Sequence, residues 1–130
     1  MSYLENIGAH LEEQGIGTWN GRSRDIFAYQ MPSTISEGIL LKDNALGTEL
    51  DHELPGYIST EFYGIVRSTE HAKGEALANA LSTALTINIT GTYGGLAINF
   101  VRPRIIPMVF PVSEGDYLEF LVSFDINFCT

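Results

Sequence analysis

The chain has little charge, and very little of it is positive. Only 18% of its 130 residues are charged, with seven Lys and Arg against sixteen Asp and Glu and a net charge of −9. Globular proteins average about 25% charged residues. Seven cations do not make the basic stripes that hold a DNA or RNA backbone. Nucleic acid could still pass close to such a chain without sticking. Cysteine is nearly absent: Cys129 stands alone, so no intrachain disulfide can form. A long apolar run is missing too. The best candidate, residues 76–89, is interrupted by Asn79, Ser82, Thr83 and Asn88 and falls short of the ~20 residues that span a bilayer. The first ten residues, MSYLENIGAH, carry Glu5 and no basic cluster, unlike a signal peptide. A reducing cytoplasm is therefore the expected compartment of synthesis and assembly.

What remains is a chain of ordinary domain size with 45% apolar residues, enough for one core and too much for disorder. A small domain has much surface to cover, so scarce charge suggests that copies of itself or a partner cover part of it. Residues 2–14 predict a helix. Ser2 and Glu5 have capping-box spacing, Leu4, Ile7 and Leu11 share one face, and Gly15 is a natural stop. Trp19 is expected to anchor the following turn-rich loop. Short strands are expected at 25–31, ended by Met31–Pro32, and at 39–42. Residues 57–67 alternate as a long strand, with Ile58, Thr60, Phe62, Gly64 and Val66 on one side. Ser68 then reads as the cap of a helix running to about Leu85, with Glu70 in its first turn and Leu77, Leu81, Ala84 and Leu85 buried. Gly74 costs such a helix roughly 1 kcal/mol and suggests close backbone approach. TINIT (86–90) and LAINFV (96–101) read as a hairpin around GTYGG. The segment 102–107 interrupts the pattern and 113–116 reads as a turn. Residues 117–128 give the clearest strand, with Leu118, Phe120, Val122, Phe124, Ile126 and Phe128 on one side.

The expected order is α-β-β-β-α-β-β-β. It predicts a single α+β domain: an antiparallel or mixed sheet with two helices packed on one face, and one parallel pair across the second helix. The other face, with Tyr57, Tyr63, Ile65 and Leu121 among polar residues, is expected to be solvated or to meet a neighbouring subunit.

Chemistry is harder to find. His10, His52 and His71 lack the spacing of a metal site, and neighbouring side chains in Asp51–His52–Glu53 diverge. No G-x-S-x-G nucleophile elbow occurs, and nothing beside Cys129 would stabilise a thiolate. Gly15-x-Gly17 follows a helix instead of a strand, and Gly91-x-x-Gly94-Gly95 lacks the Lys-Ser/Thr of a phosphate loop. No catalytic, cofactor or metal residue is therefore assigned. Two sets of charged residues remain as candidate surfaces. One is the acidic segment 43–53, through Asp43, Glu49, Asp51 and Glu53. The other comprises the pairs Arg22/Arg24 and Arg102/Arg104. Solvation and local ion pairs would account for the arginines. Docking is the alternative, with Arg102 and Arg104 of one copy meeting segment 43–53 of the next.

The layout resembles a known family. Its elements are the first helix, the turn Met31–Pro32–Ser33–Thr34–Ile35, and EFYGIVRSTEHAKGEALANALSTAL, a strand ending in Arg followed by a helix rich in Ala and Leu. Pro107, PVSEGDY and the closing SFDINF complete it. This is similar to the tail terminator and minor capsid proteins of tailed bacteriophages. The resemblance implies a virion protein without enzymatic activity or cofactor. Its subunits would form a ring, expected to be a hexamer, that ends tail-tube polymerisation. Its partners would be further copies, the tube protein and a neck or head-completion protein, with DNA only passing through and no membrane involved. The acidic segment would then face the channel or a partner. A neck or head-completion ring, a small ligand-binding or enzymatic α+β domain, and a dimeric bacterial adaptor are the alternatives.

Overall fold

The computed structural model describes residues 3–19, 24–32, 34–43, 53, 56–111 and 117–129. The expected Ser2 cap and the turn at 113–116 lie outside them. The first helix, α1, spans Tyr3–Glu13. Leu4, Ile7 and Leu11 are fully buried, as their spacing predicts. Its end is a Schellman motif: Gly15 takes φ +76°, the Ile16 amide donates to the Leu11 carbonyl, and the Gly15 amide donates to that of Glu12. The buried side of α1 is wider than its apolar spacing implies, because Asn6, Gly8 and His10 are buried as well. Gly8 makes room for the Trp19 ring, which anchors its loop as expected; a Cβ there would sit 2.7 Å from Trp19 Cδ2.

Strands β1 (Ile26–Ala28), β2 (Gly38–Asp43) and β3 (Tyr57–Ser68) follow, then helix α2 (His71–Ala84). After it come β4 (Gly91–Tyr93), β5 (Leu96–Pro103), β6 (Met108–Pro111) and β7 (Leu118–Cys129). The seven strands form one mixed sheet in the order β1-β2-β3-β7-β5-β4, with β6 also paired to β7. Strands β3 and β7 pair antiparallel along their whole length, from Tyr57 opposite Cys129 to Ser68 opposite Leu118. Both helices lie on one face. Tyr3 of α1 packs on Phe62 and Phe128, and α2 places Gly74 over Phe120 and Leu81 beside Gly64 and Phe124. The core is the apolar side of β3 and β7 under these helices, with Phe62, Val66, Phe120, Val122, Phe124 and Ile126 no more than 2% exposed.

Several local expectations are corrected. Strand β1 stops at Ala28, before Met31–Pro32, because Tyr29 turns to φ +70°. The parallel pair is β1 with β2, and it does not cross α2. The α2 crossover leads from β3 to β4 and β5, but β7 lies between β3 and β5 and pairs with both. The strand with the most apolar face takes the most buried place. Ser68 closes β3 and does not cap α2: its hydroxyl accepts the Glu70 amide, and Glu70 itself is the N-cap without a side-chain cap bond. The buried line of α2 is Gly74, Ala78, Leu81 and Leu85, with Leu77 and Ala84 only partly covered. Residues 86–90 form no strand; Ile87 makes a single bridge to Val101. The hairpin instead turns at Gly94–Gly95, where φ values of +58° and +85° suit a two-residue primed turn. That turn rests on α1: Asn6 Nδ2 donates to the Gly94 carbonyl at 2.7 Å, and His10 meets the Tyr93 ring edge-on at 5.2 Å.

Strand β6 was not expected. It and β5 run in the same direction along the same edge of β7. Pro103 stands opposite Phe124 and Met108 opposite Leu121, so five steps on one side match three on the other. The two extra residues bulge outward, leaving Ile105 36% and Ile106 86% exposed.

Candidate interaction face

The face of the sheet opposite the helices carries an organised surface. Registered partners share a face, so the pairings Phe27–Leu40, Leu40–Ile65, Ile65–Leu121 and Leu121–Met108 define one apolar row across five strands. Its interior members are partly covered by one another, and Met108 at the β6 end is 55% exposed. Val109, opposite Phe120, is exposed instead on the helix side. Among the described residues, no helix covers this row.

Charged rows flank it. On one side, Arg67 donates to Glu119 Oε2 through Nε and Nη2 at 3.3 and 3.2 Å, and through Nη1 to the carbonyls of Pro32 and Ile35, both at 3.1 Å. Its guanidinium also lies 5.5 Å from the Tyr117 ring centre. The Ile35 amide donates to the Pro32 carbonyl, so the Pro-x-x-Ile turn is a tight loop with both carbonyls held by one arginine. On the other side, Arg104 reaches across β7 to pair with Glu61 of β3 and with Asp125 at 3.3 Å. Arg102 stands opposite Asp125 and stacks 4.1 Å from the Phe100 ring centre. Beyond the second row, Asn127 is buried and accepts from Asn99 at 2.7 Å.

Charge is segregated by this arrangement. The outer face holds Lys42, Arg67, Arg102 and Arg104 against Glu61, Glu119 and Asp125, a net +1. The other described residues carry two cations, Arg24 and Lys73, against nine carboxylates: Glu5, Glu12, Glu13, Asp25, Glu37, Asp43, Glu53, Glu70 and Glu75.

Among the described residues, the candidates are not brought together within one chain. Glu49, Asp51 and Arg22, like His52, lie outside the described residues. Asp43 shares the helix side of the sheet with Phe62, where its Oδ1 accepts the Tyr3 hydroxyl at 2.6 Å. Arg102 and Arg104 lie on the other side, so contact between them and Asp43 would require two copies. Glu53 is exposed. Arg24 wraps the β1 edge, 4.6 Å from the Trp19 ring centre and 5.0 Å from that of Phe27, with Nε donating to the Ile26 carbonyl at 2.8 Å. Arg67 was missed as a site residue, although its place at the end of a long alternating strand marked it.

Among the described residues, two titrating groups are displaced from their ordinary range, both on the helix side. Burial, and then the Asp43 carboxylate that accepts its hydrogen bond, hold the Tyr3 phenol far above its usual value. Burial lowers His10 below its ordinary 6.5, against the opposing pull of the Glu13 carboxylate and the Ala84 carbonyl. Neither joins a nucleophile or a metal cluster; among the described residues no group of three or more His, Cys, Asp or Glu could hold a metal. A cleft of about 310 Å³ lies between α2 and the 105–109 segment, lined by Phe120, Ile106, Pro107 and Val109 with His71, Glu75 and Asn79. No described helix is long and apolar enough to cross a membrane.

A sequence profile of the bacteriophage tail terminator protein family matches residues 10–129. A chain from the virion of a native gene transfer agent particle has a similar fold, with a TM-score of 0.61 at 14% identity over 82% of this chain and 79% of that one. A second solved chain, at 16% identity, aligns over 97% of this chain and 96% of its own length with a TM-score of 0.49. No curated protein matches. With nearly its whole length matched, the chain belongs to the bacteriophage tail terminator family, a family of structural proteins of the phage tail.

Proposed function

We propose that this protein ends the tail tube: copies assemble into a hexameric ring on the last tube layer, stop its growth, and offer the opposite side to a neck or head-completion protein. The observation that carries this reading is the family match over residues 10–129, which favours the tail end over a neck ring. The outer face supports it, since a sheet whose apolar row stays partly exposed is suited to bury that row against another subunit. The role is non-enzymatic and needs no cofactor. Assembly takes place in the host cytoplasm and the product is a virion component. The net charge of −9 suits a ring through which DNA passes, because an acidic wall repels the phosphate backbone and lets it slide. Segment 43–53, with Asp43, Glu49, Asp51 and Glu53, is the part of the chain proposed to face the lumen or a partner.

The test is genetic. Particles produced without this chain should contain tail tubes of broad, excessive length that lack attached heads. Tubes of normal length joined to heads would refute the proposal.

A further inference from the structure

We propose that the outer face of the sheet is the subunit-to-subunit contact of the ring, and that it docks the acidic, helix-bearing side of a second copy. This inference rests on the ring reading above and adds the surface that builds it. The strongest observation is charge. The outer face is net +1, while the remaining described residues carry nine carboxylates against two cations. Two outer faces placed together would oppose two surfaces of the same net sign. An outer face against the next copy's helix side sets opposite potentials together, which orients and favours the encounter.

The second observation is the apolar row. It crosses five strands and ends at Met108, 55% exposed at the β6 edge. An apolar row that runs out to an exposed sheet edge marks an interaction surface. The third concerns symmetry. A contact between two different surfaces is heterologous, and it closes into a ring when the rotation between copies allows. Contact of one face with itself would stop at two copies. Arg104 is already held by Glu61 and Asp125, so it orders the face, while exposed Arg102 remains available to meet the neighbour.

The experiment measures assembly size by native mass spectrometry and light scattering, with and without tail tubes. It uses the full chain as wild type, Met108→Glu combined with Arg102→Glu, and Met108→Lys. Both sites are exposed, and far-UV circular dichroism with Trp19 fluorescence checks folding. Wild type should form rings. The double variant should remain monomeric to concentrations on the order of 100-fold higher, as like charge across an interface costs several kcal/mol. Met108→Lys should assemble far better than the double variant, because it keeps the sign of the face. Rings of the double variant equal to wild type would overturn this inference and leave the ring reading standing. So would rings that form normally but no longer hold tubes, since the face would then belong to the tube protein. Wild type that stops at dimers, or stays monomeric even with tubes, would overturn both.

Discussion

Replacing Gly94 by alanine tests how the two halves of the fold are joined. Gly94 takes φ +58°, and a Cβ there would overlap the Asn6 carbonyl oxygen and lie 3.0 Å from its carbon and 3.1 Å from the His10 nitrogen. These are backbone atoms of a helix, so no rotamer change relieves the clash. The left-handed conformation alone costs a side chain roughly 1–2 kcal/mol. Moving the hairpin off α1 also loses the Asn6–Gly94 hydrogen bond, about 1 kcal/mol, and the His10–Tyr93 ring contact, about 0.5–1.5 kcal/mol. The expected total is about 3–4 kcal/mol. Gly15 is the control: it has φ +76° and nothing within 4 Å of a Cβ, so Gly15→Ala should show only the conformational cost. Urea unfolding followed by Trp19 fluorescence, at one fixed protein concentration, gives both values. If the two substitutions differed by less than about 0.5 kcal/mol, the close docking of hairpin on helix would be wrong.

Three further outcomes are expected. Arg67→Lys should cost about 1.5–3 kcal/mol, because one ammonium cannot hold Glu119 and two carbonyls together. Faster hydrogen exchange at the Ile35 amide would report the loosened turn, and unchanged protection would contradict it. Gly74→Ala should destabilise by about 1–2 kcal/mol despite its gain in helix propensity, since its Cβ would overlap the buried Phe120 ring. Adding Phe120→Leu should recover part of the loss in the same unfolding assay. Burial lowers the His10 pKa, so the unfolded chain binds the extra proton first as pH falls through its ordinary 6.5. That stability is present above this value and is lost on acidification. The urea midpoint should therefore fall more steeply from pH 7.5 to about 5.5 in wild type than in His10→Gln; equal slopes would contradict the burial argument.

Where a residue's place depends on its own neighbours, the sequence was readable. The alternation of β3 and β7 located the two longest strands and their buried faces, and Leu4, Ile7 and Leu11 located the buried side of α1. Where it depends on pairing, the sequence was not readable. Met108–Pro111 is a strand only because β5 ends at Pro103 and leaves the edge of β7 open. The glycines of GTYGG mark a turn, but only Gly94 and Gly95 make it, and Gly91–Tyr93 pairs as β4. The mixed character of the outer face was visible in Ile65 and Leu121. The row needed register across five strands, and Phe27 and Leu40 show no sign of it in the linear sequence. Gly74 announced close packing, whereas Ser68 misled because its hydroxyl serves the Glu70 amide from the end of a strand. Arg102 and Arg104 form a pair in sequence, yet salt bridges occupy Arg104 while Arg102 lies exposed, stacked on Phe100.

The central claim is that this chain forms a ring that caps a tube. Negative-stain electron microscopy of purified tail tubes incubated with the full chain tests it most directly. Six-fold rings should sit at one end of each tube, with no further growth when tube protein is added. Bare ends that continue to elongate, or density spread along the tube wall, would contradict it.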